Sequence, residues 1–292
     1  MRTTIAVIRG GPHEYDASIQ TGAAFLQALD TDRYEPRDVV ISLDNLWHRS
    51  GVAVNPERAL RGADAVVNCV HGRYGQDGWL THLIGTLGYR VLGSSLAPAA
   101  VAFDRVRSRS FAPEAGLAVP QHRIIARTAD PRTAALELFR TFPMPAVVKP
   151  IRGALSPKAI VVSDLKTLEH LLTLALGLAP KAMVEEYIVG KPISIGVLEG
   201  LDGQPARMFF STEVPEPVRG ILAKAAHRMH EQLNLRHLSE SHFIINSRAP
   251  WYIKTDALPE LGRDTSFVRG LESEGIGMPA FADHAVRLAI EG

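Results

Sequence analysis

Two apolar segments of the sequence each end in residues that suit nucleotide binding. The first is Pro145-Ala-Val-Val-Lys-Pro150, which contains Lys149, and the second is Met183-Val-Glu-Glu-Tyr-Ile-Val-Gly190, which contains Glu185, Glu186, Tyr187 and Ile188. A lysine ammonium meets phosphate oxygens as a compact positive charge. Backbone groups after a strand read the edge of an adenine ring, and an aromatic side chain covers its face. The segments predict a nucleotide site on strand ends, although for Lys149 alone an ordinary strand with a solvated lysine is an equal alternative.

The first part of the chain alternates between β-branched runs and helical spacing. The run Ile5–Ile8 leads into a glycine turn, and apolar residues then recur at helical intervals over Ser18–Leu29. Further strands are predicted over Tyr34–Ile41, Ala65–Val70 and Arg90–Leu92. Strands that alternate with helices form a parallel α/β sheet, and its functional loops follow the carboxyl ends of the strands.

The rest of the chain has a different pattern. A helix is predicted over Pro131–Phe139 and a strand over Ala146–Lys149. From Met183 onward the order is strand, strand, helix, strand, strand and helix, with the two helices predicted over Arg219–Leu233 and Pro279–Ile290.

Composition excludes several classes of protein. The 292 residues are 46% hydrophobic and 22% charged, and 32 Lys and Arg balance 31 Asp and Glu. This balance gives no overall field that favours nucleic acid or an anionic membrane. The single cysteine, Cys69, has no partner for an internal disulfide. No apolar run approaches the roughly 20 residues of a membrane span. We therefore expect a cytoplasmic protein that binds neither nucleic acid nor membrane.

A series of short motifs, in this order along the whole chain, resembles the D-alanine–D-alanine ligase family of ATP-grasp enzymes. The motifs are Gly10-Gly11-Pro12-His13-Glu14-Tyr15-Asp16-Ala17-Ser18, His71-Gly72-Arg73-Tyr74-Gly75-Gln76-Asp77-Gly78, Leu92-Gly93-Ser94-Ser95, Phe103-Asp104-Arg105, Val147-Val148-Lys149-Pro150 and Val184-Glu185-Glu186-Tyr187-Ile188. The resemblance implies an ATP-dependent carboxylate–amine ligase that acts through an acyl phosphate and takes part in making a peptidoglycan precursor.

The resemblance also implies an architecture and a division into domains. We expect an α/β, ATP-grasp fold, with a Rossmann-like parallel-sheet domain at the amino terminus and two α+β subdomains that clamp the nucleotide. The expected boundaries are 1–96 for the first domain, 97–182 for the central subdomain and 183–292 for the carboxyl-terminal subdomain.

Site residues follow from matching this sequence to the family motifs. Glu14 matches the carboxylate that holds the ammonium group of the first substrate, and His71 matches a position near that substrate's carboxylate. Ser18, at the end of the first motif, joins these two as an expected catalytic residue. The residues expected to bind ATP are Arg105, Lys149, Ser156, Glu185, Glu186, Tyr187 and Ile188.

The chain departs from the family pattern where a metal ion is expected. Magnesium that bridges phosphates takes oxygen ligands, and the family supplies an Asp and a Glu-x-Asn. The matching positions here are His242, Lys254 and Asp256, so Asp256 is the expected metal ligand and Mg²⁺ is doubtful. Glu240 stands where the family has the arginine that stabilises an oxyanion. Two alternatives stay open: Glu240, Asp256 and Glu260 form a substitute carboxylate set, or the Lys254 ammonium replaces the ion.

Two functions are compatible with these departures from the family pattern. The first is a ligase whose activity is reduced or lost, and the second is a pseudoenzyme that serves as a nucleotide-binding or protein-interaction scaffold. The predicted partners are an adenine nucleotide, a D-amino acid if the enzyme is active, and a second copy of the chain in a homodimer. The histidines His227, His230 and His237 show no zinc-ligand spacing and are predicted to be surface or cap residues.

Overall fold

The structure is a computed structural model that describes residues 2–151, 160–247 and 249–291. The chain divides into two compact units. Unit one comprises Met1–Phe103, Ile193–His242 and Lys254–Gly292, and unit two comprises Asp104–Pro192 and Phe243–Ile253. None of the helices in the described part of the chain is long and apolar enough to cross a membrane.

Strands and helices alternate along most of the chain. The strands are β1 (Thr3–Gly10), β2 (Tyr34–Ile41), β3 (Trp47–Arg49), β4 (Val52–Val54), β5 (Ala65–Asn68), β6 (His122–Ala126), β7 (Ala146–Pro150), β8 (Val161–Val162), β9 (Lys181–Glu186), β10 (Lys191–Glu199), β11 (Ala206–Phe210), β12 (Leu238–Ile245) and β13 (Pro250–Asp256). The α-helices are α1 (Tyr15–Ala28), α2 (Pro56–Leu60), α3 (Arg73–Gln76), α4 (Trp79–Thr86), α5 (Leu96–Phe103), α6 (Arg105–Ser110), α7 (Pro131–Thr141), α8 (Leu165–Leu178), α9 (Val218–Gln232), α10 (Ser266–Ser273) and α11 (Met278–Glu291). This mixture of strands and helices confirms the predicted α/β class.

The first sheet lies in unit one and has the order β4-β3-β2-β1-β5. Strand β1 pairs in parallel with β2 and β5, whereas β3 and β4 add an antiparallel hairpin at one edge. A central parallel strand is covered on both faces and is therefore apolar throughout, as the sequence of β1 shows: Ile5, Ala6, Val7 and Ile8 are all fully buried.

Aromatic side chains fill the core of unit one between α1, α10, α11 and β11. Phe25 meets Phe281, Phe281 meets Phe267, and Phe267 meets Phe209, with ring centroids 6.4, 5.7 and 4.9 Å apart and edge-on geometry. Such pairs add about 0.5–1.5 kcal/mol each beyond the area that they bury. The core thus ties the amino-terminal helix to the carboxyl-terminal helices.

A second sheet has the order β11-β10-β12-β13, and the residues of β10, β12 and β13 are divided between the two units. The third sheet lies in unit two, has the order β6-β9-β7-β8, and is antiparallel throughout. In its centre Lys149 is opposite Met183, and Val147 is opposite Glu185. Since alternate residues of a strand share a face, Lys149 and Glu185 lie diagonally on one face of this sheet.

Several predicted elements match the structure, and others do not. The strand predicted over Tyr34–Ile41 is confirmed. The strand predicted over Arg90–Leu92 is wrong, because only an isolated bridge joins Val91 to Val66 there. The sequence reading also missed α8 and α10, although Asp164 caps α8 by accepting a hydrogen bond from the Thr167 amide at 2.9 Å. The connection 211–217 between β11 and α9 is irregular and short.

Candidate functional site

A sharp turn after β1 positions the first group of predicted site residues. Gly10 has φ +85°, and a β-carbon at this position would lie 2.2 Å from the Ile41 carbonyl oxygen. Only glycine permits this approach, and it lets the Gly11 amide donate to the Ile41 carbonyl at 2.7 Å. Glu14, just before α1, also has a left-handed backbone with φ 47°. Strained non-glycine backbone of this kind clusters at functional sites.

Hydrogen bonds connect the three predicted catalytic residues. The Ser18 hydroxyl donates to the Glu14 carbonyl at 2.9 Å and accepts from the His71 amide at 2.9 Å. The His71 Nε2 atom lies 2.9 Å from the Thr21 hydroxyl oxygen. The structure therefore brings Glu14, Ser18 and His71 together in unit one.

His71 is a buried, neutral imidazole. Its side chain is fully buried, and Nδ1 has no hydrogen-bond partner among the described residues. Burial lowers the pKa of His71 to about 4, with Asp256 raising it and Lys254 lowering it by smaller amounts. A buried polar atom without a partner costs about 1–3 kcal/mol, so Nδ1 is suited to meet a ligand.

The loop after β13 closes over these residues. The Thr21 hydroxyl accepts from the Leu261 amide at 3.1 Å. Gln76 accepts from the Gly72 amide at 2.9 Å through Oε1 and donates to the Leu258 carbonyl at 3.0 Å through Nε2. These contacts fix the carboxyl-terminal segment of unit one next to the turn residues.

Glu240, His242, Lys254 and Asp256 form a compact charged cluster, also in unit one. His242 Nε2 lies 2.8 Å from Asp256 Oδ2 and 3.7 Å from Glu240 Oε2. Lys254 Nζ lies 2.7 Å from the same Asp256 oxygen. One atom from each of Glu240, His242 and Asp256 lies within 4.8 Å of the others. The cluster therefore has the spacing of a metal site but contains an ammonium group.

Charge and burial set the protonation of this cluster. Burial raises the pKa of Asp256, but Lys254 and His242 outweigh burial and hold it well below its usual range. Burial raises the pKa of Glu240, and its Oε1 atom has no hydrogen-bond partner in the described part of the chain. The pKa of Glu260 is raised by partial burial first and then by the charge of Glu14.

The donor set does not fit Mg²⁺. Magnesium is held by oxygen ligands in octahedral geometry. Because Asp256 is ionised, the proton between it and His242 belongs to Nε2, so this nitrogen offers no lone pair to a metal ion. Lys254 already occupies Asp256 Oδ2, and its charge repels a divalent cation. Both alternatives open from the sequence have contacts in this cluster: the Lys254 ammonium meets Asp256, and the charges of Asp256 and Glu240 act on Glu260.

The second group of predicted site residues lies in unit two around Glu185. Lys149 forms an ion pair with Glu185 through Oε1, and Arg109 donates to Oε2 at 2.6 Å. The side chains of Glu185 and Arg109 are only 5% and 1% exposed. Lys149 is therefore not a solvated lysine. Burial raises the pKa of Glu185, but the charges of Lys149 and Arg109 outweigh burial and lower it overall.

Helix α6 supplies two of the cations in this cluster. The Asp104 carboxylate caps α6 by accepting from the Val106 and Arg107 amides at 3.1 and 3.2 Å. Arg105 donates to the Pro150 carbonyl at 3.5 Å. Arg109 was missed in the sequence reading. Its position four residues after Arg105 on a helix puts both side chains on one face, and this spacing was the available signal.

The segment after β9 provides the other predicted nucleotide contacts. The Glu186 amide donates to the Gln121 carbonyl at 2.9 Å, and the Tyr187 amide donates to the Pro145 carbonyl at 3.0 Å. The Tyr187 side chain is exposed, whereas Ile188 is buried. Ser156, the remaining predicted nucleotide contact, lies outside the described residues.

Comparisons with known proteins agree with this architecture. No model of a protein family matches the chain. The chain is 25% identical to the D-alanine–D-alanine ligase of Chlorobaculum tepidum, with 99% of this chain and 97% of the relative covered. It is 26% identical to the D-alanine–D-alanine ligase of Syntrophobacter fumaroxidans, with 99% and 98% covered.

A solved structure shows the same fold. The D-alanine–D-alanine ligase of Bacillus anthracis complexed with ATP matches with a TM-score of 0.81 at 20% identity, covering 99% of this chain and 97% of that chain. The chain therefore has the ATP-grasp fold. Because the curated ligases also match over nearly their whole length, the chain belongs to the D-alanine–D-alanine ligase family.

Proposed function

We propose that this chain is a ligase-like ATP-grasp protein that binds an adenine nucleotide and whose acyl-phosphate ligation is greatly reduced or lost. The observation that carries the proposal is the contact of Lys254 Nζ with Asp256 Oδ2 at 2.7 Å. A monovalent ammonium does not bridge two phosphoryl groups as a divalent ion does. Glu240 adds a carboxylate where an oxyanion needs a positive group, and lost oxyanion stabilisation costs several kcal/mol.

Nucleotide binding is supported by the charge of the unit-two cluster. Arg109 and Lys149 bring two positive charges to one carboxylate, Glu185, and the charge of Arg105 also acts on Lys149. The surplus suits phosphate oxygens. Since the Glu186 and Tyr187 amides are already used, an adenine edge would be met by carbonyl groups and the Ile188 amide, with the exposed Tyr187 ring on its face. ATP use is consistent with the predicted cytoplasmic location.

A small D-amino acid is the proposed second ligand, by analogy with the names of the curated relatives. Glu14 would hold its ammonium group, and the unpartnered Nδ1 of His71 would meet its carboxylate. Ser18 acts by positioning, because it joins the backbones of both residues. None of these contacts requires a metal ion, so this part of the site is proposed to survive the substitutions at His242 and Lys254.

Calorimetric titration with ATP, in EDTA and then in excess Mg²⁺, tests the proposal. With Lys254 in the metal position, we expect ATP affinity to change by less than about fivefold, the lower end of ordinary coupling between two ligands. Affinity that rises strongly with Mg²⁺ would show that a metal ion is bound with the nucleotide and would overturn the proposal.

A further inference from the structure

A cavity of about 440 Å³ lies within unit one, and none of its lining residues belongs to the proposed function. It is lined by Gly93 and Ser95 of the Leu92–Ser95 motif, together with Arg90, Arg236, His237 and His82. His237 precedes β12, whereas Glu240 and His242 lie within that strand. Cavities of this size accommodate small-molecule ligands.

Two hydrogen bonds fix the walls of the cavity to each other. The Gly93 amide donates to His237 Nδ1 at 2.9 Å, and the Arg236 amide donates to the Ser94 hydroxyl oxygen at 3.0 Å. Glu199 accepts from the His237 amide at 2.5 Å. His237 has a left-handed backbone with φ 68°, and such strain persists only where surrounding contacts hold it.

Two histidines that were predicted to be surface or cap residues are buried in the structure. His230 and His237, predicted to be surface or cap residues, are 2% and 5% exposed. His230 lies 2.7 Å from the Ser239 hydroxyl through Nδ1 and 3.3 Å from Glu199 through Nε2. Local sequence around the two histidines does not reveal their contact with Glu199, because Glu199 lies at the end of β10. Together, Glu199 and His230 support the position of His237.

The hydrogen bond from Gly93 determines the tautomer of His237. Because Nδ1 accepts a hydrogen bond, the ring proton of the neutral imidazole is on Nε2. No described residue forms a hydrogen bond with Nε2. Burial lowers the pKa of His237 to about 4, so the ring is neutral at pH 7. His237 thus presents one N–H donor to the cavity.

The charged side chains that line the cavity are arginines. Arg90 and Arg236 are exposed, and neither forms an ion pair with any residue in the described ranges. One N–H of Arg90 donates to the Ile290 carbonyl, which leaves its other donors for a ligand. The lining residues include no Asp or Glu. Arginine forks match the geometry of oxyanions.

From these observations, we propose that this cavity is a binding site for the phosphate group of a small phosphorylated molecule. Arg236 and Arg90 supply charge-assisted hydrogen bonds, and His237 Nε2 supplies a fixed neutral donor. The site is separate from the proposed nucleotide and amino-acid contacts, so it stands whether or not the proposed function is correct.

Titration of inorganic phosphate into ¹⁵N-labelled protein, followed by the Gly93 amide resonance, tests the site. We expect saturable binding to the wild type. Arg236→Gln should weaken it about 10- to 100-fold, the usual effect of losing hydrogen bonds to a charged group. His237→Asn should also weaken it, because asparagine tolerates the left-handed backbone and can accept from Gly93 but lacks the Nε2 donor.

The matched control is Arg58→Gln, which removes an exposed arginine of α2 that does not line the cavity. We expect this variant to bind phosphate like the wild type. Equal weakening in the Arg58 and Arg236 variants would indicate general charge attraction and overturn the site. Phosphate binding that does not saturate would also overturn the site, as would acetate that binds as tightly as phosphate.

Discussion

The ammonium nitrogen of Lys254 lies 2.7 Å from Asp256 Oδ2, and the same oxygen lies 2.8 Å from His242 Nε2. A single carboxylate oxygen thus meets two positively polarised groups. This arrangement holds the pKa of Asp256 well below its usual range, against the effect of burial. The Asp256 carboxylate is therefore already neutralised by the protein itself.

Restoring oxygen ligands should restore metal binding before it restores catalysis. Lys254→Glu combined with His242→Asp removes the ammonium and adds two carboxylates beside Asp256. In this double variant we expect Mg²⁺ to raise ATP affinity by about 5- to 150-fold, and ATP to raise Mg²⁺ affinity by the same factor. Calorimetric titrations in both orders measure the coupling.

The single variant His242→Asp is the control for this experiment. It keeps Lys254, so we expect little coupling between Mg²⁺ and ATP. Ligation should remain absent or slow in the double variant because Glu240 still places a carboxylate where the family resemblance puts the oxyanion arginine. Coupling as strong in the single variant as in the double variant would mean that Lys254 does not oppose the metal ion.

Removing Lys149 should weaken nucleotide binding. In Lys149→Ala, Arg109 is the one ion-pair partner that Glu185 keeps among the described residues, so the carboxylate loses one of its two cations. We expect ATP affinity to fall about tenfold, the lower range for a charged hydrogen bond, in a calorimetric titration. Lys166→Ala, at the exposed start of α8, is the matched control. Equal ATP affinity for wild type and Lys149→Ala would remove this lysine from the site.

Neutralising Glu185 should destabilise the protein. Glu185→Gln keeps the side-chain shape but leaves Arg109, which is 1% exposed, without a counter-charge. Breaking a buried ion pair in this way costs about 3–5 kcal/mol, and urea unfolding measures the loss. Glu137→Gln, on the exposed face of α7, should change stability little. If Glu185→Gln lowers the free energy of unfolding by less than about 1 kcal/mol, the contribution is that of a surface ion pair. This result would argue against a buried ion-pair cluster of Glu185, Lys149 and Arg109.

Stability should fall in mild acid because of His71. Its pKa is about 4 in the folded protein against an ordinary value of 6.5, so only the unfolded chain gains this proton between these values. The lowered pKa therefore contributes stability above pH 6.5 that is lost as pH falls to 4. The full effect is about 3 kcal/mol. The lowered pKa of His237 also reduces stability as pH falls. The raised pKa of Glu240 has the opposite effect, because the folded protein then binds a proton more readily than the unfolded chain.

The variant His71→Gln separates these contributions. We expect its free energy of unfolding to depend less steeply on pH between 6.5 and 4 than that of the wild type. His170→Gln, which changes an exposed histidine of α8, should leave the slope unchanged. Identical slopes for His71→Gln and wild type would show that His71 is not held neutral by burial.

Sequence reasoning predicted the elements whose signals are local. The strand that carries Lys149 was found because a buried strand is apolar along its length, as Ala146, Val147 and Val148 of β7 show. The short run Arg90–Leu92 predicts a strand, but only Val91 pairs, with Val66, and a short apolar run does not reveal how many of its residues have partners. Helix α8 was missed even though Asp164 is a good cap.

The site was only partly predictable for a related reason. Lys149 and Glu185 were both identified, but their ion pair depends on the register of β7 and β9, which the sequence does not specify. Arg109 and Glu199 act on residues far away in the chain. The charge at Lys254 was noticed in the sequence, whereas its contact with Asp256 required the structure.

The most direct measurement is the rate of D-alanyl-D-alanine formation by the purified wild-type protein with ATP, Mg²⁺ and D-alanine, followed by chromatography of the dipeptide. Because Lys254 and Glu240 stand where the family resemblance places the metal ligand and the oxyanion arginine, we expect dipeptide formation to be absent or far below an ordinary enzyme rate. Formation at an ordinary enzyme rate, on the order of 1 to 1,000 per second, would contradict the proposed loss of ligation.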